Sequence, residues 1–220
     1  MWYTLKEYNE EYYKIYARRR KVDWNRISSF RWIKETLRVA PGDVLLDAGC
    51  GDGNFLHYLC GQVGARGVGV DSSGVALKVA AAQFPRFTYC AGDLTCLPFR
   101  DASFTKVLCF NVIEHVRQQD EAMRELRRVL RPGGSIVFGT NIRDSLGWRL
   151  YQGVIGDHTH EREFTVREFL GFIQGYFTVA AWAKKSGVFR VPAWLRWVFQ
   201  RFLKGDILVE ARKREVNDAQ

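Results

Sequence analysis

The segment Asp47-Ala48-Gly49-Cys50-Gly51-Asp52-Gly53-Asn54-Phe55 sets three glycines at alternate positions directly behind the apolar run Val44 to Leu46. Glycine at 49, 51 and 53 lets the backbone turn sharply after a strand and come close to a ligand at the start of a helix. Such a turn can be only a turn, so the loop alone decides little. Two further acids add weight to it. Asp71 closes a second apolar run, Gly67 to Asp71, twenty residues after Gly51, the interval at which a carboxylate can accept from both hydroxyls of a ribose. Asp93, in Gly92-Asp93-Leu94, follows a third run, Phe87 to Ala91, where an acid can accept from the exocyclic amine of adenine. Three runs in order, each ending in a Gly/Asp cluster, describe one nucleoside-binding edge better than three solvated charges.

These residues need a scaffold that brings strand ends to a common edge. Two more apolar runs follow, Phe104 to Phe110 and Ser135 to Thr140, and helix-suited segments such as Val75 to Gln83 and Asp120 to Leu130 lie between the runs. Alternation of this kind predicts a doubly wound α/β domain, its strands mostly parallel with helices on both faces. Phe177 to Ala183 and Asp206 to Arg212 read as a late strand pair that makes the sheet mixed. Upstream, Ile27, Phe30, Ile33 and Leu37 recur at helical spacing within Asp23 to Ala40, before Pro41-Gly42, and Leu5 to Arg19 is also periodic. The expected organisation is an N-terminal helical extension over 1–41 and one α/β domain over 42–220. A helical insertion at about 188–204 would start near Pro192 and be capped by Gly205.

With these motifs quoted, the chain resembles the class I S-adenosylmethionine-dependent methyltransferases. Val44 to Gly53 resembles their first motif, and Val68-Gly69-Val70-Asp71 their ribose-binding strand end. Gly92-Asp93-Leu94 through Leu97-Pro98-Phe99 resembles their adenine loop, Asn111-Val112-Ile113-Glu114-His115-Val116 their strand-four edge, and Leu126 to Thr140, with Leu130-Arg131-Pro132-Gly133-Gly134, the turn into strand five. The match covers about residues 42 to 141 and is most like the subgroup that methylates small molecules, quinone precursors among them. It implies a Rossmann-like, seven-stranded sheet with an antiparallel last strand, and S-adenosylmethionine as cofactor with S-adenosylhomocysteine as product. It further implies that Asp47, Gly49 and the Cys50–Gly51 backbone hold the methionine end. Asp71 would bind the ribose with Ser72 near it, Asp93 and Leu94 would frame the adenine, and the Asn111 backbone would meet the methionine amine. A dinucleotide dehydrogenase would use a similar Gly loop, but its third glycine permits close helix packing, whereas Phe55-Leu56 follows here.

The acceptor is less legible. Methyltransferases acting on adenine amines carry an Asn-Pro-Pro-Tyr-like motif where this chain has Asn111-Val112-Ile113-Glu114. Cys50 lies in the cofactor loop, and Cys60, Cys90 and Cys109 in apolar runs, where thiols are commonly buried and inert. His115, at the strand-four edge, and His158, in the loop Asp157 to Thr165, are the candidate catalytic residues, since an imidazole titrates near neutrality. Thr165 and Glu168 form a capping-box pattern whatever the loop does. Asn111-x-x-Glu114-His115 with His158 and His160 also resembles a metal-binding pattern of some O-methyltransferases. Its first ligand is changed from Glu to Asn, so no metal is expected. The reading is methyl transfer to a small, hydrophobic acceptor, oxygen favoured; the alternatives are an RNA methyltransferase and a non-catalytic cofactor-binding protein.

Composition bounds the remaining choices. The chain has 220 residues with 47% hydrophobic and 26% charged, which is globular. Its five cysteines form no C-x-x-C pair, so neither a zinc site nor a disulfide framework is expected and a reducing cytoplasm is. The start has no signal-peptide pattern, and no apolar run approaches a bilayer-spanning length. Net charge is +9, but residues 14–38 hold nine basic and two acidic side chains, and residues 184–204 hold six basic and none acidic. The remainder is therefore slightly acidic, and the basic excess sits in two flanking segments suited to a lipid-like or anionic acceptor. Trp194 to Leu203 would either contact a membrane interface peripherally or pack on the sheet; nucleic acid ranks lower as a partner.

Overall fold

A computed structural model describes residues 28–143, 161–186 and 205–214. The first half contains α1 (Ser28–Leu37), β1 (Val44–Ala48), α2 (Asn54–Cys60), β2 (Arg66–Asp71), α3 (Gly74–Gln83), β3 (Thr88–Ala91) and β4 (Phe104–Phe110). A 3₁₀ turn (Ile113–His115), α4 (Gln119–Val129), β5 (Leu130–Ile142), α5 (Val166–Gln174), β6 (Thr178–Ser186) and β7 (Gly205–Arg212) follow. The strands form one sheet in the order β3-β2-β1-β4-β5-β7-β6. β1 pairs in parallel with β2 and β4, β2 with β3, and β4 with β5, whereas β7 is antiparallel to β5 and β6. This is the mixed, doubly wound sheet that the strand–helix alternation predicts.

The side-chain period of a strand divides the core into two layers. Leu46, Val107, Ile136, Phe138, Ile207 and Val209 face one layer, shared with Ala122, Met123 and Leu126 of α4 and Phe169 and Ile173 of α5. Leu45, Leu108, Val137 and Leu208 face the other, where Phe30, Ile33 and Leu37 of α1 meet Leu56 and Leu59 of α2. The predicted stripe Phe30, Ile33, Leu37 is thus the buried face of α1. Phe30 also stacks on Phe55 at 4.0 Å between ring centroids, and Phe55 meets Phe110 edge-on at 5.2 Å, linking α1 to the segment after the glycine loop.

Local chemistry sets the helix starts. Ser73 caps α3 by accepting from the Ala76 N–H at 3.3 Å. Thr165 and Glu168 form the full capping box at α5, the Glu168 N–H donating to the Thr165 hydroxyl (3.2 Å) and the Thr165 N–H to the Glu168 carboxylate (2.8 Å). One expectation changes. Leu130 to Gly134 is a bulge inside β5, not a turn before it: Leu130 pairs with Phe104 and Ser135 with Lys106. Gly133 has φ 70°, and a Cβ on Gly134 would stand 2.9 Å from the Arg131 carbonyl oxygen, so glycine is needed for the bulge to close. Gly205 opens β7, and the predicted helices over 5–19 and 192–203 lie outside the described residues.

Arg128 on α4 fixes the long connection from β3 to β4. Its guanidinium donates to both Glu125 oxygens (2.7 Å each), to Asp101 (2.8 Å) and to the carbonyls of Leu97 (3.0 Å) and Phe99 (2.7 Å). Glu125 in turn accepts from the Leu97 N–H at 2.8 Å. The side chains of Arg128 and Glu125 are 29% and 19% exposed, so water screens the pair only in part. The Arg128 guanidinium holds the Glu125 carboxyl below the usual range. That stabilisation is fully present above glutamate's ordinary value, about 4.3, and fades as pH falls through the depressed value. Arg128→Met, which keeps the stem and removes every donor, should lower stability by about 2–3 kcal/mol in urea titrations at pH 7. The loss should shrink below pH 4.

Candidate functional site

The parallel strands β1 to β4 end at one edge of the sheet, and the segments leaving that edge carry the candidate residues. The loop after β1 is wound tightly. Gly49, Gly51 and Gly53 have φ 81°, 51° and 78°, values that side-chain-bearing residues rarely adopt. A Cβ on Gly49 would lie 2.2 Å from Val112 Cγ2, so the strand-four edge presses directly on this turn. The loop uses its own amides. The N–H groups of Gly49 and Cys50 both donate to the Val70 carbonyl (2.8 and 3.0 Å), and that of Gly53 donates to the Cys50 carbonyl (3.0 Å). The Gly51 N–H donates to Asp71 Oδ2 at 2.9 Å.

Those bonds decide which ligand the loop suits. A phosphate-binding glycine loop presents free N–H groups to oxygen anions. Here the N–H groups at 49, 50, 51 and 53 are already spent, and the surrounding side chains are Asp47, Asp52 and Asp71. The loop suits a cation, and the dinucleotide alternative loses its main requirement.

Asp47 is 2% exposed, and its Oδ2 is buried with no hydrogen-bond partner. Burial, with smaller contributions from the charges of Asp71 and Asp52, pushes its carboxyl up to about 8. Asn111, in the left-handed region at φ 54°, likewise holds a buried and unpartnered Oδ1, while its N–H donates to the Gly139 carbonyl at 2.8 Å. Two orphaned oxygens beside the glycine loop match the donors of an ammonium group. Asp71 accepts from Gly51 and, through Oδ1, from the Ser73 N–H at 2.8 Å. Each of its oxygens keeps a second lone pair for a hydroxyl. Ser72 is exposed next to it.

In the third loop Asp93 is exposed, and its Oδ1 accepts from the Thr95 N–H and hydroxyl at 2.8 Å each. Leu94 is buried beside it, and the Gly92 N–H donates to the Asp71 carbonyl at 3.2 Å. The ribose and adenine candidates therefore share a hydrogen-bonded connection.

The strand-four edge is tied to the segment before α5. The Glu114 carbonyl accepts from the N–H groups of Glu161 (2.9 Å) and Arg162 (3.2 Å). Buried Gln119 donates to the Ile113 carbonyl (2.9 Å) and accepts from Arg162 (3.3 Å). His115 is half-buried on the 3₁₀ turn, while His158 and His160 lie outside the described residues. Burial raises the thiols of Cys50, Cys60, Cys90 and Cys109, Cys60 to about 12, which holds them protonated and unsuited to nucleophilic attack. Among the described residues no cluster of three His, Cys, Asp or Glu side chains could hold a metal, and no helix is long and apolar enough to cross a membrane.

The sequence did not reveal Arg128, Gln119 or the contact of Val112 with Gly49, because each acts on a residue distant along the chain. A buried acid at 114 had one sequence signal, its place inside the apolar stretch Val112 to Val116.

Comparison with known proteins agrees with this geometry. Residues 46–138 match a family described as "Methyltransferase domain". A Mycolicibacterium smegmatis protein named "Probable S-adenosylmethionine-dependent methyltransferase" is 40% identical over 47% of this chain and 39% of its own length. The malonyl-[acyl-carrier protein] O-methyltransferase of Pseudescherichia vulneris is 32% identical over 66% of this chain and 55% of its own length. The chain thus spans between about two fifths and just over half of the length of these curated relatives. A geranyl diphosphate methyltransferase solved in complex with S-adenosylmethionine shares the fold, with a TM-score of 0.66, 17% identity and 85% of each chain covered.

The environment of Asp47 separates binding from stability. An acid whose folded-state value is raised costs stability as pH climbs from its unfolded value, near 4, towards about 8. Asp47→Asn should therefore stabilise the ligand-free protein at pH 8, by on the order of a few kcal/mol, with the gain vanishing towards pH 4. Urea denaturation at the two pH values measures this. The same substitution should weaken binding of a cationic ligand, so the two effects run in opposite directions.

Proposed function

We propose, from the class I S-adenosylmethionine-dependent methyltransferase domain this chain carries, that the protein moves the methyl group of S-adenosylmethionine to a hydroxyl oxygen of a small, hydrophobic acceptor. The observation that carries the reading is the cationic preference of the glycine loop, whose amides are spent and whose buried Asp47 and Asn111 oxygens lack partners. S-adenosylmethionine supplies an activated methyl on a positively charged sulfur, so catalysis needs positioning and, where the acceptor carries a proton, its removal.

The residues divide that work. Asp47 and the Asn111 side chain receive the methionine ammonium, with the 49–51 backbone beneath it. Asp71 receives the ribose hydroxyls, and Asp93 and Leu94 frame the adenine, held in place by the Arg128 clamp on the same loop. His115 stands at the acceptor side of the edge. Oxygen as the accepting atom is supported by the O-methyltransferase among the relatives and by the lack of an amine-gripping motif after Asn111. A cytoplasmic protein fits the unpaired cysteines, and the basic 14–38 and 184–204 segments fit an acceptor that is anionic or borne at a membrane surface.

Isothermal titration should show S-adenosylmethionine and S-adenosylhomocysteine binding the wild-type chain. Asp71→Ala should weaken both by at least about tenfold, equivalent to about 1.4 kcal/mol; unchanged affinity would remove Asp71 from the ribose site. Incubation with methyl-labelled cofactor and a panel of phenolic, quinone-like, fatty and enolic-acid acceptors should transfer label to oxygen. Transfer to RNA alone, with affinity falling steeply as salt rises, would overturn the small-molecule reading.

A further inference from the structure

Glu114 occupies the centre of the 3₁₀ turn after β4 and is 1% exposed. Both of its carboxylate oxygens are buried without a hydrogen-bond partner. An acid so placed costs stability and is rarely left unused. The fold draws on its backbone carbonyl, which receives the Glu161 and Arg162 amides, while the carboxylate lies near the Thr140 hydroxyl and His115.

The side chain sits where three strands converge. Thr140 of β5 lies beside it, its hydroxyl directed at the Asn141 carbonyl 3.4 Å away. Asp206 opens β7, where it is opposite Asn141 in the register, and it accepts from the Ser29 hydroxyl at 3.1 Å. Cys109 and His115 complete the titratable surroundings. Burial raises the carboxyl above its ordinary range and Asp206 adds to the rise, while His115 and, more weakly, its own backbone and the Thr140 hydroxyl oppose it. The position is one strand away from the glycine loop, and Val112, two residues earlier, touches Gly49. Asp47 and Asn111 face the cofactor in the reading above, which leaves Glu114 without a role there.

We propose that Glu114, at the strand-four edge beside Thr140, takes the proton of the acceptor's hydroxyl during methyl transfer. This rests on the methyl-transfer reading. The acceptor oxygen donates a lone pair to form the new O–C bond, the C–S bond breaks with its electrons remaining on sulfur, and the O–H proton passes to a Glu114 oxygen. A carboxylate and a sulfonium become a carboxylic acid and a thioether, so two opposite charges disappear together. Burial favours that outcome because it penalises the charged pair and not the neutral products. The acceptor class is accordingly a hydroxyl compound, phenolic or enolic, able to give up its proton.

The test compares proton release by titration calorimetry in two buffers of different ionisation enthalpy. S-adenosylmethionine and S-adenosylhomocysteine share the ammonium, ribose and adenine, so their difference isolates the sulfonium charge. Across a pH series, wild type should release more protons with the sulfonium ligand than with the thioether ligand. Glu114→Gln should abolish that difference while binding S-adenosylhomocysteine within about threefold of wild type, which also shows that it folds. Infrared difference spectra of the wild type alone, one ligand against the other, should show loss of a protonated carboxyl band. Transfer to the best phenol of the panel should fall at least about a hundredfold in Glu114→Gln, and Glu114→Asp should restore part of it. The assignment is overturned if Glu114→Gln keeps the proton difference, or keeps transfer with an unchanged pH profile. If neither ligand binds wild type, the methyl-transfer reading itself fails. If both bind and wild type shows no difference, only the role of Glu114 fails.

Discussion

Between Gly49 and Gly53 the chain spends its amide protons on itself, and the rest of the site depends on that. The Val70 carbonyl takes two of them and Asp71 takes a third, so the end of β2 is bonded to the turn that leaves β1. This fixes Asp71 at the height of the loop and removes the N–H array that would attract a phosphate. It also leaves Asp47 beneath the turn without a donor for Oδ2. One set of backbone bonds therefore sets geometry, ligand charge and the unusual ionisation of the buried acid.

The same set explains why three left-handed glycines are tolerated. Each costs chain entropy on folding, yet a Cβ at Gly49 would enter Val112 and one at Gly53 would come within 2.7 Å of the Tyr89 hydroxyl. Close approach by the neighbouring segments, β3 and the strand-four edge, is what turns a flexible sequence into a rigid cradle. The aromatic contact of Phe55 with Phe30 and Phe110 holds the far side of that cradle. Rigidity there is a form of preorganisation, because a ligand need not order the loop it enters.

Much of this architecture was legible in the sequence, for a physical reason. Period-2 apolar runs and period-3.6 stripes report which face of an element is buried, and Leu45 against Leu46, or Phe30 with Ile33 and Leu37, divide between the two layers as their spacing requires. Gly/Asp clusters report strand ends because those ends need both a sharp turn and an acid within reach of a ligand. The bulge at Leu130 to Gly134 was not legible, since Pro and Gly there fit a turn equally well and only the pairing with β4 decides. The Arg128 clamp was hidden for a related reason. Its partners at 97, 99 and 101 are distant along the chain, and an Arg three residues after a Glu on a helix is ordinarily a surface pair. Spacing conveys burial and local conformation; it does not convey which distant carbonyl a guanidinium will reach.

The acceptor side shows where that boundary bears on function. Asp47 and Glu114 are both buried acids with unpartnered oxygens, yet the sequence places one in a recognisable motif and the other in an apolar stretch. Asp47 lies near the end of β1, and Glu114 on the 3₁₀ turn that follows the neighbouring strand β4. Burial raises both carboxyls, so the protein alone favours their protonated forms. A ligand carrying two positive centres, an ammonium and a sulfonium, supplies what each acid lacks. Binding such a ligand recovers part of the stability that the two acids cost in its absence. When the methyl leaves, one of those positive centres is lost, and an acid that has just received a proton no longer needs it. The pairing of two buried acids with an ammonium and a sulfonium thus links cofactor binding, the transfer step and release of the thioether through a single electrostatic balance.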